Sequence, residues 1–286
     1  PVAAPIFTRR KFSRVGRQTE NYTPEVKLNE QSTSFDASNF NGTEYGDTRL
    51  IISYKGKPAD TLIKGSRHDD TITGGDGSNG IFGNDGKDTI TGGGDSDAIY
   101  GMDQSDFIYG EAGDDKLSGG KDDDIIDGGA GKDRFYIQTT QELNGTDRLI
   151  NFSTSQSDNL FFNFGEEGGL ASQASLRGKG TNYERLATGA RIGDNTGFVI
   201  GNSNIASPSA VEAYAKSLQG IQSGDKIYLL GSTNVFGIGE ATLYAVEYSD
   251  SGTGEVGCSS QALANLGNLE SALFYYPQLP QFTRVL

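Results

Sequence analysis

The apolar positions of one segment recur with a strict period. Ile72, Ile81, Ile90, Ile99, Ile108, Leu117, Ile126 and Phe135 stand nine residues apart without a slip. Two residues before each stands a carboxylate or an amide: Asp70, Asn79, Asp88, Asp97, Asp106, Asp115, Asp124 and Asp133. Gly74, Gly83, Gly92, Gly101, Gly110, Gly119 and Gly128 open successive units. The tail of a unit, such as Asp88-Thr89-Ile90-Thr91, predicts a short strand with its apolar side chain inward. The head, such as Gly83-Asn84-Asp85-Gly86-Lys87, must turn sharply, and glycine permits the backbone angles required. Two units then close one coil of eighteen residues, and coils stack as parallel strands. Ile63 carries the ladder one unit further back, with Asp60 and Thr61 near the acidic position.

Outside this segment the pattern is looser. Residues 50–54, 146–152, 158–162, 225–230 and 241–246 read as strands, rich in branched and aromatic side chains. Ser209-Ala210-Val211-Glu212 reads as a capping box, with Val211, Tyr214, Ala215 and Leu218 as an apolar stripe and Gly220 as the stop. This predicts a helix over 209–219. The fold class is mainly β: a parallel β-roll followed by a mainly β C-terminal domain with one or two helices. The divisions are a basic arm and cap strand over 1–55, the roll over 56–136 and the C-terminal domain over 137–286.

Charge sharpens the picture. The chain has 24 Lys and Arg against 38 Asp and Glu, a net −14. Residues 69–133 hold sixteen aspartates and Glu111 against four lysines, a net −13, while the first twenty residues carry +4. An aperiodic block of this kind would be a solvated tail; the period argues instead for an ordered stack. So acidic a chain is a poor partner for nucleic acid. Alternate units turn on the same side, so Asp70, Asp88, Asp106 and Asp124 form one row and Asn79, Asp97, Asp115 and Asp133 the other. Carboxylates stacked about 5 Å apart cannot all stay ionised without a counter-charge. A hard, oxygen-bound dication such as Ca2+ supplies it.

Other chemistry is excluded or unsupported. One cysteine, Cys258, allows no internal disulfide, and one histidine, His68, reads as a solvated turn residue. There is no HExxH and no GxSxG, so no enzyme is expected. Gly75-Asp76-Gly77-Ser78-Asn79-Gly80 matches GxGxxG but lacks the following helix that a dinucleotide site needs. Glu166-Glu167 reads as a solvated loop, and the sequons at Asn21, Asn41, Asn144 and Asn151 carry no functional weight. No run of 18 apolar residues is present, so no transmembrane segment is expected. No signal peptide is visible after Pro1.

The pattern over residues 56–136 resembles the RTX family, whose repeat is G-G-x-G-x-D-x-U-x with U a large apolar residue. Gly128-Gly129-Ala130-Gly131-Lys132-Asp133-Arg134-Phe135-Tyr136 fits every fixed position. The resemblance implies Ca2+ ions between neighbouring turns, each held by one aspartate from each turn and by carbonyls near the glycines. It implies three ions per row, about six in all. Asn79 stands where the pattern has aspartate, so the 79/97 site is expected to be weaker. Asp95, Gln104 and Asp122 replace the second turn glycine. The resemblance further implies a secreted bacterial protein whose repeats fold on extracellular calcium, exported unfolded by an uncleaved C-terminal signal. The expected role is structural, as a subunit of a surface layer, fibril or filament, with the basic arm docking on the acidic roll of a neighbouring copy. The alternative is a module that binds cell-surface polysaccharide in a secreted carbohydrate-active enzyme.

Overall fold

The computed structural model describes residues 6–8, 25–28, 34–37, 50–54, 61–138, 144–153, 156, 158–163, 182–193, 196–205, 207–232, 239–252, 256–269 and 283–284. The chain forms two compact units. One comprises 1–136 with 156–158, the other 137–155 with 159–286.

The first unit is the parallel roll. In one sheet Ile51–Tyr54, Thr71–Gly75, Thr89–Gly93, Phe107–Glu111 and Ile125–Asp127 pair in parallel, with Ile52, Ile72, Ile90, Ile108 and Ile126 in register. In the other, Leu62–Lys64, Gly80–Asp85, Ala98–Asp103, Lys116–Gly120 and Arg134–Gln138 align Ile63, Ile81, Ile99, Leu117 and Phe135. All ten ladder side chains are fully buried. The strands follow from their residues: in Thr-Ile-Thr the branched side chains fit the pleat, and alternation sends one apolar group inward. Outward, the rings of Phe82 and Tyr100 stack 5.0 Å apart at 13°.

The roll begins earlier than the period. Glu25–Leu28 pairs in parallel with Ile51–Tyr54, placing buried Val26 in the first ladder, and Ser34–Asp36 pairs in parallel with Leu62–Lys64. Ile6–Thr8 adds antiparallel to Glu25–Leu28. The expected cap strand, residues 50–54, is thus an interior rung. The step from Ile52 to Ile72 is twenty residues instead of eighteen, which hid it from the period.

The second unit is mainly β with one helix among the described residues. Val256–Leu269 and Gly239–Asp250 form a long antiparallel hairpin. Lys226–Ser232 joins it antiparallel, followed in parallel by Thr196–Asn204 and Asn182–Leu186. The helix Pro208–Ser217 buries Val211, Tyr214 and Ala215 against a core that includes Ile227, Leu229, Tyr244 and Val246. Its cap corrects the expected one. Ser207 accepts the Ala210 N–H at 3.2 Å and Pro208 starts the helix, so Ser209 lies inside it. Glu212 instead accepts the Ser260 N–H at 3.3 Å. Asn144 is fully buried, its Nδ2 donating to Leu263 O at 2.9 Å, so in the folded state this sequon is structural. Glu166-Glu167 lies outside the described residues.

Each nonapeptide commits a single large side chain to the interior, about 1.5–3 kcal/mol apiece. The ladder is therefore sensitive to its members. Ile99→Ala should cost about 2–5 kcal/mol in calcium-replete denaturant melts. Phe107→Ala, at a side chain 44% exposed on the neighbouring position of its strand, should cost under about 1 kcal/mol. Equal losses would contradict the assigned faces.

Candidate metal centres

The residue two before each ladder position is buried, whatever its charge. Asp70, Asn79, Asp88, Asp97, Asp106, Asp115, Asp124 and Asp133 are all at most 3% exposed. A repeated hydrogen bond links them, the backbone N–H of each of the first six donating to Oδ1 of the residue eighteen later. The distances are 2.6 Å for Asp70 to Asp88, 2.7 Å for Asp88 to Asp106 and 2.7 Å for Asp106 to Asp124. On the other side they are 2.7 Å for Asn79 to Asp97, 2.8 Å for Asp97 to Asp115 and 3.0 Å for Asp115 to Asp133. The structure thus brings the eight residues into two rows of four, as the alternation predicts.

One carboxylate oxygen is spent on that bond. The other, Oδ2 of Asp88, Asp97, Asp106, Asp115 and Asp133, is buried with no hydrogen-bond partner. The opening glycine explains where it points. A methyl group built on Gly83, Gly101 or Gly110 would run into Oδ2 of that unit's own aspartate. The same methyl would lie 2.5–2.6 Å from the carbonyl oxygen of the glycine that opens the next turn, Gly101, Gly119 or Gly128. Carboxylate and carbonyl oxygens therefore converge on space that only glycine leaves open. Both are acceptors, so each pocket lacks a positive group.

Burial governs the protonation of these groups. It pushes Asp88 and Asp106 up to about 8, Asp115 to about 7 and Asp97 to about 6, only partly offset by the N–H each accepts. Burial likewise takes Asp124 to about 7 and Asp133 to about 6. Neighbouring carboxylates add to the rise, from Asp106 and Asp70 at Asp88 and from Asp97 and Asp133 at Asp115.

The first rung of each row differs. Asp70 Oδ2 accepts the Ser66 N–H at 2.6 Å, while its Oδ1 accepts the Leu50 N–H at 2.8 Å and the Ser66 hydroxyl at 3.1 Å. Asn79 Nδ2 donates to Gly77 O at 2.7 Å and to Asp97 Oδ1 at 3.2 Å. It lies 2.9 Å from a methyl built on Gly74, the place Oδ2 takes in later units. At Asp70 protein donors serve both carboxylate oxygens, whereas at Asn79 the amide N–H group takes the place of Oδ2 and its Oδ1 stays buried without a partner. Ser66 was not legible as a partner, because it stands where the repeat has its second glycine.

The turns carry their own strain. The second turn glycine is replaced by Asp95, Gln104 and Asp122 at φ of 62, 76 and 73°, and Gly86 keeps the same left-handed sign at 123°. Asn84, Met102 and Glu111 also have positive φ at the position after the opening glycine. The conformation is a property of the turn and not of glycine. The structure gives no separate reason for glutamine at 104.

A pocket of converging oxygens without a donor fits a hard cation. Among the described residues no place gathers three or more Asp, Glu, His or Cys side chains. A metal here would take one or two carboxylates and complete its shell with carbonyls, a donor set that suits calcium and not zinc. The comparisons agree with this chemistry. A family model for the RTX calcium-binding nonapeptide repeat (4 copies) matches twice, over residues 64–99 and 100–135. No curated protein and no solved structure matches the chain.

The raised carboxyls dictate a pH dependence in the absence of metal. Each ionises later in the fold than in the unfolded chain. Metal-free stability is therefore fullest below the ordinary carboxylate pKa near 4 and falls as pH rises through 6 to 8. In chelator the β circular-dichroism signal should be stronger at pH 5 than at pH 8. A signal that strengthens towards pH 8 would refute it.

Proposed function

With residues 64–135 identified as RTX calcium-binding nonapeptide repeats, we propose that this chain is a calcium-folded module of an extracellular protein, held by ions between successive turns of each row. The observation that carries the reading is the run of buried, partnerless Oδ2 atoms facing glycine-lined pockets. We assign the ions to the intervals 88/106, 106/124, 97/115 and 115/133. There an aspartate from each turn would hold the cation, with the carbonyls of the opening glycines beside them. Bound calcium supplies the positive charge that the rows lack; the chain supplies oxygen ligands and excludes water. The intervals 70/88 and 79/97, included in the expectation of six ions, are the ones whose heads Ser66 and the Asn79 amide already serve.

Extracellular calcium is abundant enough for modest sites of this kind to fill. Inside the cell the same carboxylates would resist burial at neutral pH. This supports folding after export as the sequence of events. We read the module as structural, since the aspartates of the rows are committed to the stack. Among the described residues no helix is long and apolar enough to cross a membrane. The described part of the arm, Ile6–Thr8, pairs within its own chain, which favours docking at home over docking on a neighbour. Glycan binding has less support on the outer face of the roll, because Phe82 and Tyr100 cover each other's faces.

Removing calcium at pH 7.5 should abolish the β signal of the roll, and adding it back should restore the signal cooperatively. A chain that keeps its spectrum in EDTA and binds no calcium would refute the reading. Asn79→Asp places a second oxygen where Nδ2 now donates, so it should bind one ion more than the unaltered chain by native mass spectrometry. An unchanged count would refute the assignment of that interval.

A further inference from the structure

The second row does not end with the repeats. The Asp133 N–H donates to Asp158 Oδ1 at 2.9 Å. This is the bond that joins Asp97 to Asp115 at 2.8 Å and Asp115 to Asp133 at 3.0 Å. Asp158 arrives twenty-five residues on instead of eighteen, outside the matched repeats, yet is only 1% exposed. It belongs to the first compact unit, as does Gln156, whose Oε1 accepts the Gly131 N–H at 3.1 Å.

An independent observation points to a ligand in this interval. Asp133 is 1% exposed and its Oδ2 is buried without a hydrogen-bond partner. It lies on the side left open by Gly128, where a built methyl would run into it. Asp133 therefore brings the same buried Oδ2 that Asp97 brings, although the next-turn glycine carbonyl found beside Gly92 has no counterpart among the atoms nearest Gly128. At the other end of the row an amide meets the need, whereas here a second buried carboxylate stands one hydrogen bond away. Two carboxylates buried this close stay ionised together only with a cation between them; without one, Asp133 is held protonated to higher pH.

We propose that Asp133 and Asp158 hold a further divalent cation at the end of the second row, calcium by its oxygen donors. The site rests on the reading of the repeats as calcium sites and extends it to a residue outside their register. Its consequence is local: an ion bound there would hold Asp158, and with it Gln156, on the last turn of the roll.

Two measurements on the full chain test it. Asp158→Asn keeps an oxygen to accept the Asp133 N–H but removes the charge, and should bind one calcium fewer than the unaltered chain by native mass spectrometry. An unchanged count overturns the site and leaves Asp158 a structural cap. The second measurement needs no variant. In a calcium-replete crystal of the unaltered chain, the anomalous-difference map should show a peak between Asp133 and Asp158. Peaks between Asp97 and Asp115 but none at Asp158 overturn the site and leave the reading of the repeats intact. Peaks at neither position overturn both.

Discussion

A buried carboxylate oxygen that faces another oxygen is the constraint on which this structure turns. In the later rungs the aspartate is latch and liability at once. Through Oδ1 it receives the N–H of the turn before and fixes the eighteen-residue coil. Through Oδ2 it brings a charge into a pocket lined by a carbonyl and no donor. The glycine that opens each unit is required because any side chain there would fill the pocket. The lean core belongs to the same arrangement. With so little apolar area per turn, cohesion depends on what happens at the rows, and the rows need a positive partner to cohere.

The two ends of the rows solve the same problem by different means. At the start, Ser66 satisfies Asp70 with hydrogen bonds, and the Asn79 amide removes a charge and turns an N–H group towards Gly77 O. In the middle, hydrogen-bond donors are replaced by a demand for a cation. At the far end of the second row, Asp158 prolongs the acidic line beyond the repeats. The same backbone thus presents a graded need for metal, set by one or two side chains at each end.

What was legible followed from strict spacing. The nine-residue period placed the ladder side chains from Ile63 to Phe135 and the row residues from Asp70 to Asp133, because a solenoid converts a sequence period directly into a spatial one. What was not legible lacked a period or lay in weak local signals. Val26 and Ile52 belong to the ladder, but irregular steps separate them from Ile72. Asp158-Asn159-Leu160 reads from the sequence as part of a passage resembling the one that closes many RTX solenoids, but its distance from Asp133 breaks the count and hid its place in the second row. The long strand Val256–Leu269 is rich in glycine, serine and asparagine and has little strand preference of its own. Its partner Gly239–Asp250 creates it. The helix cap moved by two residues because two serines compete, and Pro208, suited to the first helical turn, decides between them.

The self-sufficient head gives the roll a direction. In a one-dimensional stack each turn is stabilised mainly by its neighbours, so folding needs a seed and then propagates. Among the rungs of the two rows, the one at Asp70 stands out, because the Leu50 and Ser66 N–H groups serve both of its carboxylate oxygens without an ion; it is the natural candidate for that seed. Each later turn would then find a finished surface on one side only and take up ions as it docks. From such a seed, ordering would be expected to travel as a front from Ile72 towards Ile126, and pulse-labelled hydrogen exchange would register it as protection arriving in that order. A chain ordering along one axis in this way would behave as a ratchet. Every ion captured makes retreat of the preceding turn harder.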